Sequence, residues 1–107
     1  MKQRPQPLPE YDVATALQAL VHALASLKTA DEVRAFLEDL CTPAELESMA
    51  DRWKVVPLLL QRVPYREVHD RTAVSVTTIG RVARTMDRGT GGYAIAARRL
   101  RFPLASH

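Results

Sequence analysis

The residues with the most suggestive chemistry lie in one stretch, YREVHDRTAVSVTTIGRVAR, at residues 65–84. Its spacing predicts two short helices joined by Thr-Ala-Val-Ser. A serine cap would begin the second helix, where free amides and hydroxyls could bind phosphate oxygens. Valine and threonine methyl groups suit thymine methyls, and arginines suit guanine edges or phosphates. The candidate DNA-contacting residues of this helix are Ser75, Val76, Thr77, Thr78, Gly80, Arg81 and Arg84.

Two features of the second helix favour a DNA groove over a corner of a helical core. No acidic residue occurs from Ser75 to Met86, although a solvent-facing helix would ordinarily carry glutamate and lysine. Gly80 costs a helix interior roughly 1 kcal/mol relative to alanine, but its missing side chain would let the helix approach a groove closely. We therefore interpret the second helix as a reading helix, with a packing corner as the alternative.

The apolar residues of the stretch fit the inward positions of a helix-turn-helix. Ala73 stands in the tight turn, where glycine is usual, and His69 stands where a small residue is usual. The motif is predicted over about residues 65–85. Its inward residues are Val68, Thr72, Val74, Ile79 and Val82.

The remaining elements that would position this motif are also predicted to be helices. The chain has 107 residues, of which 47% are hydrophobic and only 4 are glycine, so a single all-α domain is expected over residues 12–102. Residues 1–11 are proline-rich and are predicted to form a flexible arm, and residues 103–107 a tail. Capping-box patterns begin helices after Thr29 and after Thr42, the second with Pro43 at its first position.

The third of six predicted helices is apolar on more than one face. Apolar residues recur in it at spacings of three and four, which places them on one face of the helix. Further leucines and a valine extend the apolar surface beyond that face. A helix of this kind needs burial nearly all round, which a monomer of this size offers in few places. The sequence therefore predicts a homodimer with interleaved helices. Pro57 should kink this helix or remove one of its backbone hydrogen bonds.

Charge and composition exclude several classes of function. The net charge is +3, but eight arginines against Glu67, Asp70 and Asp87 leave residues 65–102 at +5, as expected of a polyanion binder. The sequence has no membrane-spanning run and no leader pattern, and its single cysteine suits a reducing compartment, so a bacterial cytoplasm and association with the nucleoid are expected. The dispersed histidines predict no metal site. No catalytic constellation or cofactor motif is evident, and no enzyme activity is expected.

The span from LCTPAELESMADRW through TTIGRVART resembles the Trp repressor family, and GTGGYAIAARRL is similar to its YerC/YecD branch. The likeness covers about residues 40–100. It implies an intertwined, all-helical homodimer that represses transcription through paired helix-turn-helix units. It also implies that Arg66 and His69, on the first helix of the motif, contact the groove or the DNA backbone.

The resemblance further implies a corepressor pocket. An amino acid would lie between Arg52 and Arg81, with Thr42 on the pocket wall, since guanidinium groups bind carboxylates bidentately. The alternative for Arg52 is an ion pair with a carboxylate of its own helix. Val82 follows Arg81 where tryptophan-binding members have glycine, and a branched side chain there should intrude on an indole. The expected ligand is therefore histidine or another amino acid rather than tryptophan, and action without a small molecule is the alternative.

The sequence thus predicts a repressor of an amino-acid biosynthesis operon that binds a near-palindromic duplex as a homodimer. The rival interpretation is a helical protein-interaction module without sequence-specific DNA binding, for which the same amphipathic faces would suffice.

Overall fold

The computed structural model describes residues 12–105, and every regular element in this range is helical, which confirms the predicted all-α class. The predicted arm at residues 1–11 and the last two residues of the predicted tail lie outside the described range. None of the helices within that range is long and apolar enough to cross a membrane. The helices are α1 (Val13–Ala25), α2 (Ala30–Leu40), α3 (Pro43–Lys54), α4 (Val56–Leu60), α5 (Tyr65–Thr72), α6 (Val76–Arg88) and α7 (Gly92–Arg99).

The chain divides into two compact units, one ending at Leu40 and the other beginning at Cys41. The first contains α1 and α2, and the second contains α3 to α7. The single domain predicted over residues 12–102 is not tested by this division and stays a prediction.

The helices of the first unit begin with side-chain caps. The Asp12 carboxylate accepts a hydrogen bond of 2.8 Å from the Thr15 amide, and this bond lowers the pKa of Asp12 below its ordinary value. At α2, the Glu32 amide donates to the Thr29 hydroxyl at 3.1 Å, as predicted. The Glu32 carboxylate accepts from the amide of Lys28 rather than from that of Thr29, so the reciprocal half of the capping box is displaced by one residue.

One face of α1 is apolar and exposed. Large apolar side chains follow one another at helical spacing along it, and four of them retain between 37% and 85% of their surface exposed. A face of this kind is unusual for a helix that only packs within its own chain. The four residues are Val13, Leu17, Val21 and Leu24.

The long third helix of the sequence prediction is two helices in the structure. Its N-terminus is a complete capping box: Thr42 and Glu45 each accept from the other's backbone amide, at 3.1 and 2.8 Å. The break falls at Val55, and Pro57 lies in the first turn of α4, where its missing amide costs nothing. The helix predicted to be kinked at Pro57, or to lose one hydrogen bond there, is thus interrupted two residues earlier, and the six predicted helices become seven.

The second unit has a small aliphatic core. Trp53 covers one side of it and contacts Tyr93 and Phe102, with ring centroids 6.2 and 5.5 Å away, which joins α3 to α7 and the segment beyond it. Leu100 lies just beyond the end of α7 and is 60% exposed. The core residues are Val55, Val56, Val68, Val74, Ile79, Val82 and Ala97.

Candidate nucleic-acid interface

Helices α5 and α6 form the predicted helix-turn-helix, with a turn at residues 73–75. Ala73 ends α5 in the left-handed conformation at φ 64°, in the position where glycine was expected. The His69 Nδ1 lies 2.7 Å from the Val74 carbonyl oxygen, and because a carbonyl only accepts, Nδ1 carries the proton. His69 therefore ties the end of α5 to the turn, which explains how a large residue fits at its position.

The inward side of the motif matches the sequence prediction. Val68, Val74, Ile79 and Val82 are all buried, with at most 4% of any of them exposed. Thr72 is half-buried, and its hydroxyl donates to the Val68 carbonyl at 2.7 Å and accepts from the Val74 amide at 3.2 Å. These contacts fix α6 against α5, so the outward side chains of α6 are presented by a packed support.

The N-terminus of α6 is organised by its serine. Ser75 Oγ accepts from the Thr78 amide at 3.1 Å and donates to the Thr78 hydroxyl at 3.0 Å, so these two side chains serve the cap. The Ile79 amide donates to the Ser75 carbonyl, which begins the helical hydrogen bonds. The amides of Val76 and Thr77 have no acceptor among residues 12–105, and both residues are exposed. The cap therefore leaves two donors and the positive end of the helix dipole facing solvent.

Three predicted DNA-contacting arginines carry charge that no carboxylate neutralises locally. Arg66, Arg81 and Arg84 are exposed, and none has a carboxylate oxygen within 4 Å among residues 12–105. The acidic Glu67 pairs instead with Arg71, at 3.3 Å. The exposed side of the motif is thus positive, which is the electrostatic condition for binding phosphates.

The sequence interpretation placed Gly80 on the exposed face of α6, but the structure does not. Gly80 is buried, and a Cβ there would lie 3.3 Å from Arg84 Nη1 and 3.9 Å from Tyr65 Cε2. A methyl group there would be in ordinary contact with Tyr65 and would crowd only the end of the Arg84 side chain, so the helix is approached at Gly80 by the chain's own residues. Sequence reasoning missed Tyr65, although a glycine in the middle of α6 was itself a signal that another group approaches the helix there.

The cavity that Arg52 lines does not include the other two residues predicted to hold a corepressor. Arg52 lines a cavity of about 370 Å³ with Cys41, Glu45 and Ser48, and neither Arg81 nor Thr42 lines it. Thr42 caps α3, and Val82 is 1% exposed within the core. No carboxylate within residues 12–105 lies within 4 Å of the Arg52 guanidinium, so the alternative of an ion pair on its own helix is wrong.

Metal-ligating side chains do not form a cluster in the described part of the chain. No group of three or more histidine, cysteine, aspartate or glutamate residues there could hold a metal ion. The candidate interface described above consists of backbone amides, hydroxyls and guanidinium groups.

Comparison with known proteins identifies relatives over most of the chain. A family model described as Trp repressor protein matches residues 15–101. The uncharacterized protein YerC of Bacillus subtilis (strain 168) is 34% identical over 85 residues, which cover 79% of this chain and 82% of YerC.

Two solved structures share the fold. The crystal structure of a candidate Trp repressor from Staphylococcus aureus superposes with a TM-score of 0.78 at 29% identity, covering 83% of this chain and 89% of that one. A TrpR-like protein from Eubacterium eligens ATCC 27750 gives a TM-score of 0.76 at 34% identity, covering 86% and 93% of the two chains.

Proposed function

The chain belongs to the Trp repressor family, in its YerC-like branch, and from that premise we propose that it represses an amino-acid biosynthesis operon by binding a near-palindromic operator as a homodimer. The family is one of helix-turn-helix DNA-binding regulators and not of enzymes. Family membership supports a DNA-binding regulator. We propose in addition the kind of operon, the near-palindromic operator and the homodimer.

The observation that carries the proposal is the outward side of α6. Its first turn offers the amides of Val76 and Thr77, and its arginines have no carboxylate within 4 Å in the described range. Helix N-termini bind phosphates, and threonine and arginine side chains discriminate base edges in the major groove. A buried support beneath the helix keeps these groups in a fixed arrangement.

The exposed apolar face of α1 supports the homodimer. Val13 and Leu17 retain 85% and 57% of their surface exposed, and burial against a second copy would remove that surface from water. In a two-fold symmetric dimer the two α6 helices would lie about 34 Å apart, one turn of DNA, so that the half-sites would repeat at about 10 base pairs.

The proposal includes an amino-acid corepressor that binds beside Arg52. Arg52 offers a guanidinium without a carboxylate partner in the described range, beside a cavity of about 370 Å³. A ligand carboxylate could bind there. Arg81 does not line this cavity, so it would contact the same ligand only after a rearrangement or if the ligand bound between two subunits. Histidine or another amino acid is proposed in preference to tryptophan, and Thr42, which caps α3 and does not line this cavity, would contact the ligand only after the same rearrangement. Replacing Arg52 with alanine should abolish ligand dependence and spare ligand-free DNA binding.

The test is a selection of binding sites from random duplex DNA at near-physiological salt, with and without pooled amino acids. The expected result is enrichment of a palindrome by the wild-type chain and none by Arg81→Glu/Arg84→Glu, with the fold of the variant checked by circular dichroism. Enrichment only with the pool would show that an amino-acid corepressor exists. The matched control is Arg34→Glu/Lys28→Glu, which reverses two charges in the other compact unit and should enrich the same palindrome.

Failure of the folded wild-type chain to enrich any sequence in either condition would contradict the repressor and leave the helical protein-interaction module as the better interpretation.

A further inference from the structure

Two helix ends in the second unit carry arginine in a backbone conformation that favours glycine. Beyond α4, Arg62 has φ 60°, its amide donates to the Leu59 carbonyl at 3.0 Å, and the Val63 amide donates to the Leu58 carbonyl at 3.1 Å. This pair of bonds is the Schellman motif, whose left-handed residue is usually glycine. Arginine in that position is disfavoured, because its Cβ approaches the backbone carbonyl.

The end of α7 repeats the arrangement. Arg101 has φ 61°, its amide donates to the Arg98 carbonyl at 3.0 Å, and the Phe102 amide donates to the Ala97 carbonyl at 2.9 Å. The chain therefore places an arginine twice in a position where glycine would fit without strain.

The two helix ends are held beside each other. The Ala105 amide donates to the Leu60 carbonyl at 3.0 Å, and the Gln61 side-chain amide donates to the Pro103 carbonyl. Arg62 follows Gln61 directly, and Arg101 precedes Pro103 by two residues. The two strained arginines thus belong to one local structure.

The charge of this structure is not neutralised locally. Arg62 and Arg101 are exposed, as are Arg98 and Arg99 in the last turn of α7, and none has a carboxylate within 4 Å among residues 12–105. Asp87 lines the same cavity as Arg62, but its carboxylate lies 3.8 Å from Arg88.

The structure also borders the helix-turn-helix. Arg62 precedes Tyr65, the first residue of α5, by three positions. It lines a cavity of about 500 Å³ together with Tyr65 and with Ala83 and Met86 of α6. A duplex that contacts the exposed side of α5 and α6 would extend its sugar-phosphate backbone past the edge of the motif.

A purely structural role would explain the charges differently. Cations near the C-terminus of a helix stabilise it through the helix dipole, and the two C-termini here lie side by side. That role does not require the left-handed residue itself to be arginine, because Arg98 and Arg99 already stand in the last turn of α7. Unfavourable backbone conformations persist most often at functional sites.

We propose that Arg62 and Arg101 form a second phosphate-binding surface, which contacts the DNA backbone beside the segment that α6 reads. This proposal rests on the proposed function and extends it, because the contacts lie outside the helix-turn-helix. They add affinity and orientation without sequence preference.

The test compares four full-length proteins on the duplex enriched by the wild-type chain, with affinity measured as a function of salt and the melting temperature (Tm) measured in parallel. Arg62→Gly/Arg101→Gly should raise Tm by a few degrees and yet lower the affinity about tenfold at 0.1 M salt. For this variant, the slope of log K against the logarithm of the salt concentration should be smaller in magnitude by roughly 3 to 4. A dimer would lose four phosphate contacts, and each contact contributes about 0.9 to the slope. Arg62→Lys/Arg101→Lys should retain the affinity.

The control Lys28→Gln/Arg34→Gln removes the same number of charges from the other unit and should leave the salt dependence unchanged. An unaltered affinity and salt dependence in the glycine variant, with a lower Tm, would overturn the proposal in favour of the helix-dipole role. If affinity fell equally in the control, net charge rather than a surface would be responsible. A wild-type chain that enriches no duplex would defeat the proposed function itself, so the two failures are distinguishable.

Discussion

At the scale of single residues, the turn of the helix-turn-helix shows how an unfavourable residue is accommodated. Ala73 adopts φ 64°, and the neighbouring His69 Nδ1 donates to the Val74 carbonyl at 2.7 Å. A left-handed alanine costs free energy because its Cβ approaches the following carbonyl, whereas the added hydrogen bond contributes about 1 kcal/mol. The histidine therefore offsets part of the strain of the alanine.

Replacing Ala73 with glycine should raise the free energy of unfolding by about 0.5–1 kcal/mol, because relief of the strain exceeds the greater entropy of the unfolded glycine. Urea denaturation measures this change. The matched control is Ala19→Gly in α1, where the right-handed helical backbone gives glycine no advantage, and the free energy should fall by about 0.5–1 kcal/mol. A decrease in both variants would contradict the strain assigned to Ala73.

At the scale of elements, α6 combines a buried face and an exposed face whose roles differ. Ile79 and Val82 join the core, while Val76, Thr77 and Arg81 are exposed. Gly80 lies where α6 meets Tyr65 and Arg84, so its small size serves packing within the chain. The end of the Arg84 side chain lies against this small residue.

Gly80→Ala tests this arrangement. The added methyl group would meet only the end of the Arg84 side chain at 3.3 Å and the Tyr65 ring at 3.9 Å, and an exposed guanidinium can move away. The gain in helix propensity should therefore dominate, and the free energy of unfolding should rise by up to about 1 kcal/mol. Gly80→Leu should instead lower it, because Tyr65 would have to be displaced. Equal destabilisation by both substitutions would show that no space is available at Gly80.

Local patterns made most of the elements predictable. Capping signals at Thr42 and Ser75 set the starts of α3 and α6, and the apolar spacing identified Val68, Val74, Ile79 and Val82 as buried. The roles of His69 and Gly80 were not predictable, because each depends on a contact with a residue on another element or across a turn. The left-handed conformation of Arg62 and Arg101 was not predicted either. Glycine after the last residue of a helix is a sequence signal for its end, whereas arginine at the same position gives no such signal.

At the scale of the whole molecule, the proposed dimer accounts for surface that one chain leaves uncovered. The exposed apolar face of α1 lies in a unit without a single fully buried side chain among its two helices. Such a unit has little core of its own and would gain stability from burial against a partner.

Leu17→Glu should dissociate the dimer, since the 57% exposed leucine stands in the middle of that face and a buried unpaired carboxylate is costly. Sedimentation at several concentrations would show a monomer for Leu17→Glu. The control is Gln18→Glu, which adds the same charge at the exposed neighbouring position and should leave the dimer intact. Dimers of equal stability in both variants would exclude the α1 face from the interface.

The central claim is that the outward side of α6 reads base pairs. The most direct measurement is a binding-site selection repeated with Val76→Ala, Thr77→Val and Arg81→Gln, alongside Thr90→Val, which alters an exposed threonine beyond α6. Each base-contacting side chain contributes about 1–3 kcal/mol of discrimination, so the α6 variants should change the consensus at symmetry-related positions one DNA turn apart, while Thr90→Val retains it. The same consensus from all four variants would contradict the claim, because α6 would then hold the duplex without reading it.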